Sequence, residues 1–328
     1  MLRRLVLLLT GVFLVLAAGL VLTFVDSDHY IVLPDRARPA DPLVEIPGED
    51  SGTAESGIYM VDVRVGRASL LERIYPGIHE GASLVPGHVI NPSGVSDRQR
   101  RRSSLNEMSR SQLVAITVAL RELGEDVEVR PVGAEVVLVQ PGAPADGELE
   151  VADEIVEADG EAVETTTDLQ RAMSDLEPGD RVTLAVRREG ESVEVTLPTQ
   201  ASQEGDRAVV GVQVRDALDF DFPIDIEIDA GGIGGPSAGL AFALEIVDEL
   251  GEDVDGGRTV VATGELTLDG EVLPIGGVKQ KAIGARESGA DVFLVPDGNF
   301  QEADGAVEGL EVVGVSTFAE ALSALASR

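Results

Sequence analysis

Cysteine is absent from the 328-residue sequence, so neither disulfides nor thiolate chemistry contribute to its fold or activity. That absence is compatible with either side of a membrane. Basic residues are few: 25 Lys and Arg stand against 59 Asp and Glu, a formal net charge of −34. Nucleic acid is excluded as a partner, because phosphate contacts need clustered Lys and Arg. So large an acidic excess gives a solvated, self-repelling surface. The three histidines are His29, His79 and His88, all in the first third of the chain. No G-x-x-x-x-G-K-[ST] phosphate loop occurs in it. No metal, nucleotide or other cofactor is implied.

What is present is enough for two folded domains, at 44% apolar residues. Met1 to Arg4 carries two arginines, and Leu5 to Val25 is an uncharged apolar run of membrane-spanning length. Ala17-Ala18-Gly19 offers a small-residue cleavage site, but inside the apolar run. Residues 1–25 are therefore expected to be an uncleaved single-pass anchor in the cell membrane. Arg3 and Arg4 against Asp26 and Asp28 place the N-terminus inside and the remainder outside the cytoplasm. From 26 to 56 the composition turns to Pro, Asp, Glu and Gly, and an extended linker with little regular structure is expected.

The stretch around which the chain is organised is Ala230-Gly231-Gly232-Ile233-Gly234-Gly235-Pro236-Ser237-Ala238-Gly239-Leu240. Upstream, Ile224, Ile226 and Ile228 alternate with acids, the period of a half-buried strand. Downstream, Leu240, Leu244, Val247 and Leu250 recur at helical spacing. A strand thus runs into a glycine loop that opens a helix, with Ser237 expected in its first turn. Free N–H groups at a helix start suit a developing oxyanion. Most serines there merely cap; here Pro236 precedes Ser237, which makes Gly235 the expected cap and leaves the Ser237 hydroxyl without a structural duty. A phosphate-binding role for the loop is weak, since no basic residue follows it closely.

The G-x-S-x-G pattern at 235–239 matches the nucleophile elbow of α/β-hydrolases, but their histidine follows the serine in sequence. Here no histidine does. A histidine-first order leaves only His79 and His88, since His29 falls in the expected linker. Lysine is the other base that serves a serine when burial lowers its pKa. The only lysines downstream of Ser237 are Lys279 and Lys281. On a helix beginning near Val278, Lys281 shares a face with Val278, Gly284, Ala285 and Ser288, whereas Lys279 shares its row with Arg286. Lys281 is the better interior candidate, against the ordinary alternative of a solvated helix lysine.

Three motifs then carry a specific resemblance. Gly235-Pro236-Ser237-Ala238-Gly239, Thr263-Gly264-Glu265-Leu266-Thr267-Leu268-Asp269-Gly270 and Val272-Leu273-Pro274-Ile275-Gly276-Gly277-Val278-Lys279-Gln280-Lys281 resemble the proteolytic domain of the Lon family. The resemblance implies a Ser-Lys dyad serine peptidase, with Ser237 as nucleophile and Lys281 as base. Thr263, in the T-G-E motif, would lie beside the dyad. It also implies protein or peptide substrates and a homo-oligomer, a hexameric ring. The sequence departs from the family in having Gly234 where Asp is common, and in lacking the Walker A motif of the family's ATP-driven unfolding module.

Ser104 and Glu107 have capping-box spacing ahead of a helix that Gly124 ends. Arg98, Arg100, Arg101 and Arg102, just upstream, form the only basic cluster; a solvated loop paired to neighbouring carboxylates is the expected reading, ahead of lipid headgroups or an acidic partner. The segment 126–200 then interrupts the Lon-like part. Pro141-Gly142-Ala143-Pro144-Ala145, Asp153-Glu154-Ile155 and Asp168-Leu169-Gln170-Arg171-Ala172-Met173 resemble a PDZ domain. The carboxylate-binding loop of such a domain would fall near Val132 to Val136. After 200, strands and helices alternate to the C-terminus, with a hairpin at Asp269-Gly270 and a Thr317–Glu320 cap.

The expected fold is α/β (α+β): a Lon-type proteolytic domain with a mixed sheet and covering helices, an inserted PDZ-like β-sandwich domain, and an N-terminal transmembrane helix. Its expected parts are 1–25 anchor, 26–56 linker, 57–125 and 201–328 proteolytic domain, and 126–200 PDZ domain. The rival from another class is a non-catalytic membrane adaptor that binds peptides through its PDZ domain on a Lon-like scaffold.

Overall fold

A computed structural model describes residues 2–48, 56–90, 95–202, 205, 207–251 and 253–327. The first helix, α1 (Leu2–Phe24), is the one helix among the described residues long and apolar enough to cross a membrane; a signal sequence meets the same criteria.

The part of the chain that holds Ser237 and Lys281 is built on a five-stranded sheet in the order Arg38–Pro39, Gly57–Met60, Thr259–Ala262, Val292–Pro296, Glu311–Val315. Its last four strands are mutually parallel, and the first is an antiparallel edge. Parallel strands covered on both faces read as unbroken apolar runs, as Thr259-Val260-Val261-Ala262 and Val292-Phe293-Leu294-Val295 do. Their side chains alternate between two cores. Val260, Ala262 and Leu294 face α2 (Asp97–Glu122), α4 (Gly239–Leu250) and α6 (Phe318–Ala326). Val261, Phe293 and Val295 face α5 (Val278–Glu287).

Between α2 and α4 stands a second body with its own core. Its sheet runs Glu191–Pro198, Arg181–Arg188, Glu154–Ala158, Glu128–Val139, Val212–Asp221, and α3 (Thr166–Met173) packs beside it. Asp153, 1% exposed, is held by Arg188, whose Nε and Nη2 lie 2.7 and 2.6 Å from its carboxylate. Pairing of 128–139 with 212–221 along its whole length carries this sheet past residue 200. The segment Val132–Val136, expected as a loop, lies inside the strand Glu128–Val139.

The expected linker is largely structured. Asp26–Pro34 is the central strand of a three-stranded antiparallel sheet with Val63–Ser69 and Ser83–Pro86, and Tyr30, Ile31 and Val32 are buried. The apolar run Tyr30-Ile31-Val32-Leu33 supplies that strand, which the surrounding Pro and Asp residues disguise. Val44–Glu45 pairs with Glu227–Ile228, all that becomes strand of the alternating run 224–228. Residues 49–55 of the expected linker lie outside the described residues.

Helix α2 begins eight residues before the expected capping box. Ser96 is its cap, accepting the Gln99 N–H at 3.1 Å, so the basic cluster is helical and not a loop. Carboxylate pairing does engage it: Arg102 reaches Glu150 and Glu189, and Arg100 reaches Asp97 while lying 5.2 Å over the Tyr30 ring.

Close approach, not chain flexibility, fixes Gly284 in α5. A Cβ added there would lie 1.9 Å from the Asp35 carbonyl oxygen. Ala37 N–H donates to Ser288 Oγ at 2.8 Å, so the 35–37 segment is bound along this helix. Gly to Ala in a helix normally gains about 1 kcal/mol. Gly284→Ala should instead lose about 1–3 kcal/mol by overpacking against backbone. Thermal unfolding by circular dichroism checks this, with Gly66→Ala, where a Cβ meets nothing within 4 Å, as the near-neutral control.

Candidate active site

Ser237 does not sit in the first helical turn. Helix α4 starts at Gly239 with Ala238 as its N-cap, and Gly235 is not the cap. The physical reason is a set of cross-connections that hold 235–238 off the helical path. Gly235, at φ +92°, donates its N–H to the Ser104 carbonyl at 2.7 Å. Ser111 Oγ donates to the Pro236 carbonyl at 2.8 Å. The Ser237 carbonyl accepts the Gly264 N–H at 2.9 Å and the Thr263 hydroxyl at 3.0 Å. Helix α2 and the end of the strand Thr259–Ala262 thus clamp the serine from two sides. Among the described residues, no acceptor takes the backbone N–H of Ser237 or Ala238.

The same packing explains Gly234. A Cβ there would come within 2.4 Å of Ser104 Oγ and 3.2 Å of the Ser104 carbonyl carbon. An aspartate at this position needs α2 to move.

Lys281 projects from the start of α5. Gly277, at φ +70°, is the N-cap, and its carbonyl accepts the Lys281 N–H at 3.0 Å. Asn299 fixes the preceding loop: its Oδ1 accepts the Ile275 N–H at 2.8 Å and its Nδ2 donates to the Ile275 carbonyl at 3.2 Å. The lysine side chain, 2% exposed, ends in a cluster of three. Nζ lies 2.6 Å from Ser237 Oγ and 2.9 Å from Thr263 Oγ1. Lys279 is exposed.

Burial disfavours the ammonium and lowers the Lys281 pKa to about 8, with the nearby Asp62 carboxylate opposing that shift. Asp62 was not foreseen in the sequence. Residues 58–65 read as one alternating strand, whereas the structure breaks it into Gly57–Met60 and Val63–Ser69. Asp62 falls at the break and lines the cleft beside Lys281. Its Oδ2 accepts from Arg38 Nη2 at 3.2 Å, while its Oδ1 is buried without a partner among the described residues. Burial raises its pKa, and Arg38 partly offsets that.

These groups border a cleft of about 1010 Å³, which Ile233, Glu265 and Ile275 also line. The histidines stay apart from it. His79 faces Glu72 at 2.9 Å, and His88 lies in the short helix Gly87–Ile90.

Residues 191–326 match the family model of the Lon protease (S16) C-terminal proteolytic domain, and residues 95–199 match that of the PDZ domain. The Lon protease of Rickettsia felis is 41% identical over 108 residues, covering 31% of this chain and 14% of that protein. Lon protease 2 of Bacillus subtilis is 39% identical over 105 residues, 32% of this chain and 18% of that one. The matched part is thus a small fraction of these relatives' length. Among solved structures, the PDZ domain of the SdrC-like protein of Listeria monocytogenes aligns at 21% identity with a TM-score of 0.24, covering 25% of this chain and 87% of that one. The chain carries a Lon-type proteolytic domain and a PDZ domain.

Because Lys279 and Lys281 are the only lysines in the sequence, side-chain NMR of lysine-labelled protein resolves both titrations. Lys281 should titrate with a midpoint near about 8. Asp62→Asn should lower that midpoint, since the carboxylate favours the ammonium. A midpoint that rises in this variant contradicts the reading.

Proposed function

We propose that the chain is a membrane-anchored, ATP-independent serine endopeptidase that cleaves extracytoplasmic proteins with a Ser237–Lys281 dyad. The observation that carries this reading is the 2.6 Å approach of a buried, pKa-lowered amine to an otherwise unburdened serine hydroxyl. Neutral Lys281 removes the Ser237 proton as Oγ attacks the scissile carbonyl, and the resulting ammonium returns it to the leaving amine. The acyl-ester is then hydrolysed by a water that the same amine deprotonates. Asp62 stabilises the transient ammonium, and Thr263 orients Nζ. The Ser237 and Ala238 N–H groups are positioned on the nucleophile's own turn, where an oxyanion forms.

The remaining assignments rest on less. The apolar α1 followed at once by the strand Asp26–Pro34 supports an anchor joined directly to the folded body, and Arg3 and Arg4 before it against Asp26 and Asp28 after it support that body's lying outside the cytoplasm. The PDZ domain would recruit or gate peptides by strand addition. A homo-oligomeric ring is part of the same proposal by resemblance.

Ser237→Ala should abolish cleavage of a denatured protein substrate, by about 10⁴-fold or more. Lys281→Arg should be nearly as damaging, because a guanidinium stays protonated, while the exposed Lys279→Arg should retain activity. Equal cleavage by wild type and Ser237→Ala ends the assignment. A covalent serine-directed probe that fails to label Ser237 favours the adaptor.

A further inference from the structure

Helix α1 joins the folded body beside a group of short elements. It packs against the helix Leu70–Ile74, and the Leu70 N–H donates to the Val25 carbonyl at 2.8 Å. The turn Pro76–Ile78 follows that helix. The helix Gly87–Ile90 closes on the chain just after α1, where a Cβ on Gly87 would lie 2.6 Å from the Asp28 carbonyl oxygen. Arg73 Nη1 reaches the Asp28 carboxylate at 2.6 Å.

These short elements expose apolar side chains: Ile74, Tyr75, Ile78 and Val89 are 66, 67, 46 and 60% exposed. Beyond α1 and Val25 they are four of the six exposed large apolar side chains among the described residues, and of the other two Val65 lines the cleft. Single exposed apolar residues are ordinary, whereas several gathered at one place mark a contact. Acids are missing there as well. Neither 73–78 nor 84–90 contains Asp or Glu, in a chain with 59 of them. The flanking acids are engaged elsewhere. Glu72 Oε2 accepts from the Ser69 N–H at 2.7 Å and its Oε1 faces His79 Nε2 at 2.9 Å, while Glu80 faces Arg286 of α5 at 3.9 Å.

We propose that Ile74, Tyr75, Ile78 and Val89 rest in the headgroup region of a lipid bilayer, a second membrane contact besides α1. The proposal rests on the reading of α1 as an anchor. What commits this face to lipid is its place: it adjoins the end of a helix whose apolar length is not buried in the body, so a bilayer that holds α1 reaches it. A tyrosine among isoleucines and a valine suits a boundary that is dry on one side and wet on the other. The lack of acids suits anionic headgroups, which repel the rest of so acidic a surface.

Docking of this face also sets the height of the cleft. The strand Val63–Ser69 runs from the cleft, which Val63, Arg64 and Val65 line, to Ser69, the N-cap of Leu70–Ile74. Seven strand residues span about 20 Å at most, so the cleft is held within that distance of the docked face. It is thereby offered to chain segments that lie close to the membrane.

The sequence has no tryptophan, so a single introduced indole is the sole reporter. The full-length chain is reconstituted in nanodiscs of phosphatidylcholine and phosphatidylglycerol, with and without brominated phosphatidylcholine, which quenches indole on contact. Phe24→Trp reports on α1 and Tyr75→Trp on the proposed face, both at exposed positions. Ser323→Trp, exposed on α6 beside the edge strand Glu311–Val315, reports on the body away from it. The expected result is that brominated lipid removes most of the emission of Phe24→Trp and Tyr75→Trp and leaves that of Ser323→Trp unchanged. Quenching of Phe24→Trp but not of Tyr75→Trp overturns the docking and leaves the anchor standing. A Tyr75→Trp emission that is blue-shifted yet unquenched does the same, and assigns the face to a second copy of the chain. If Phe24→Trp is not quenched, the anchor reading itself fails and the docking with it. Equal quenching of all three indoles also overturns the proposal, since no one face is then favoured.

Discussion

The contact on which the proposed chemistry depends is between an amine and a hydroxyl that share no sequence neighbourhood, Lys281 Nζ and Ser237 Oγ. In water the amine would carry its proton and could not act as a base. Inside, desolvation brings its pKa down to about 8, so a useful fraction is uncharged near neutral pH, and the elements around it serve to keep it dry. The strand Thr259–Ala262 ends at Thr263, which touches both the amine and the carbonyl of the serine. Helix α5 starts at a left-handed glycine so that its first turn aims Lys281 across the sheet end. Asp62 opposes the desolvation, so the amine stays within reach of protonation in the proposed cycle. On that reading, a balance of burial against one carboxylate sets the working pH range.

Positioning of the serine is a separate problem, solved by hydrogen bonds to helix α2. Ser104 and Ser111, about two and four turns into that helix, hold Gly235 and Pro236 by their backbone groups. This explains why Ser237 precedes its helix. It also explains why the position before Gly235 is glycine: the room that a side chain would take is filled by Ser104.

Much of this was legible in the sequence, for identifiable reasons. Parallel strands with two buried faces must be apolar throughout, so Val292-Phe293-Leu294-Val295 reads unambiguously. The face argument that chose Lys281 over Lys279 used only helical periodicity, and the structure buries the first and exposes the second. The misses have physical causes too. Asp26–Pro34 reads as tether because its strand is short of contrast, flanked by acids and prolines, and its partners lie tens of residues away. Asp62 reads as a surface position of a continuous strand, since a break in a strand leaves no compositional mark. Helix α2 starts early because Ser96, not Ser104, caps it, and both are plausible caps by residue type.

The claim at the centre is that an uncharged Lys281 activates Ser237. The most direct measurement is the rate at which a fluorophosphonate labels Ser237 as a function of pH. The account predicts a single ascending limb with its midpoint near about 8, where the amine loses its proton. A labelling rate that stays level across that midpoint would contradict it.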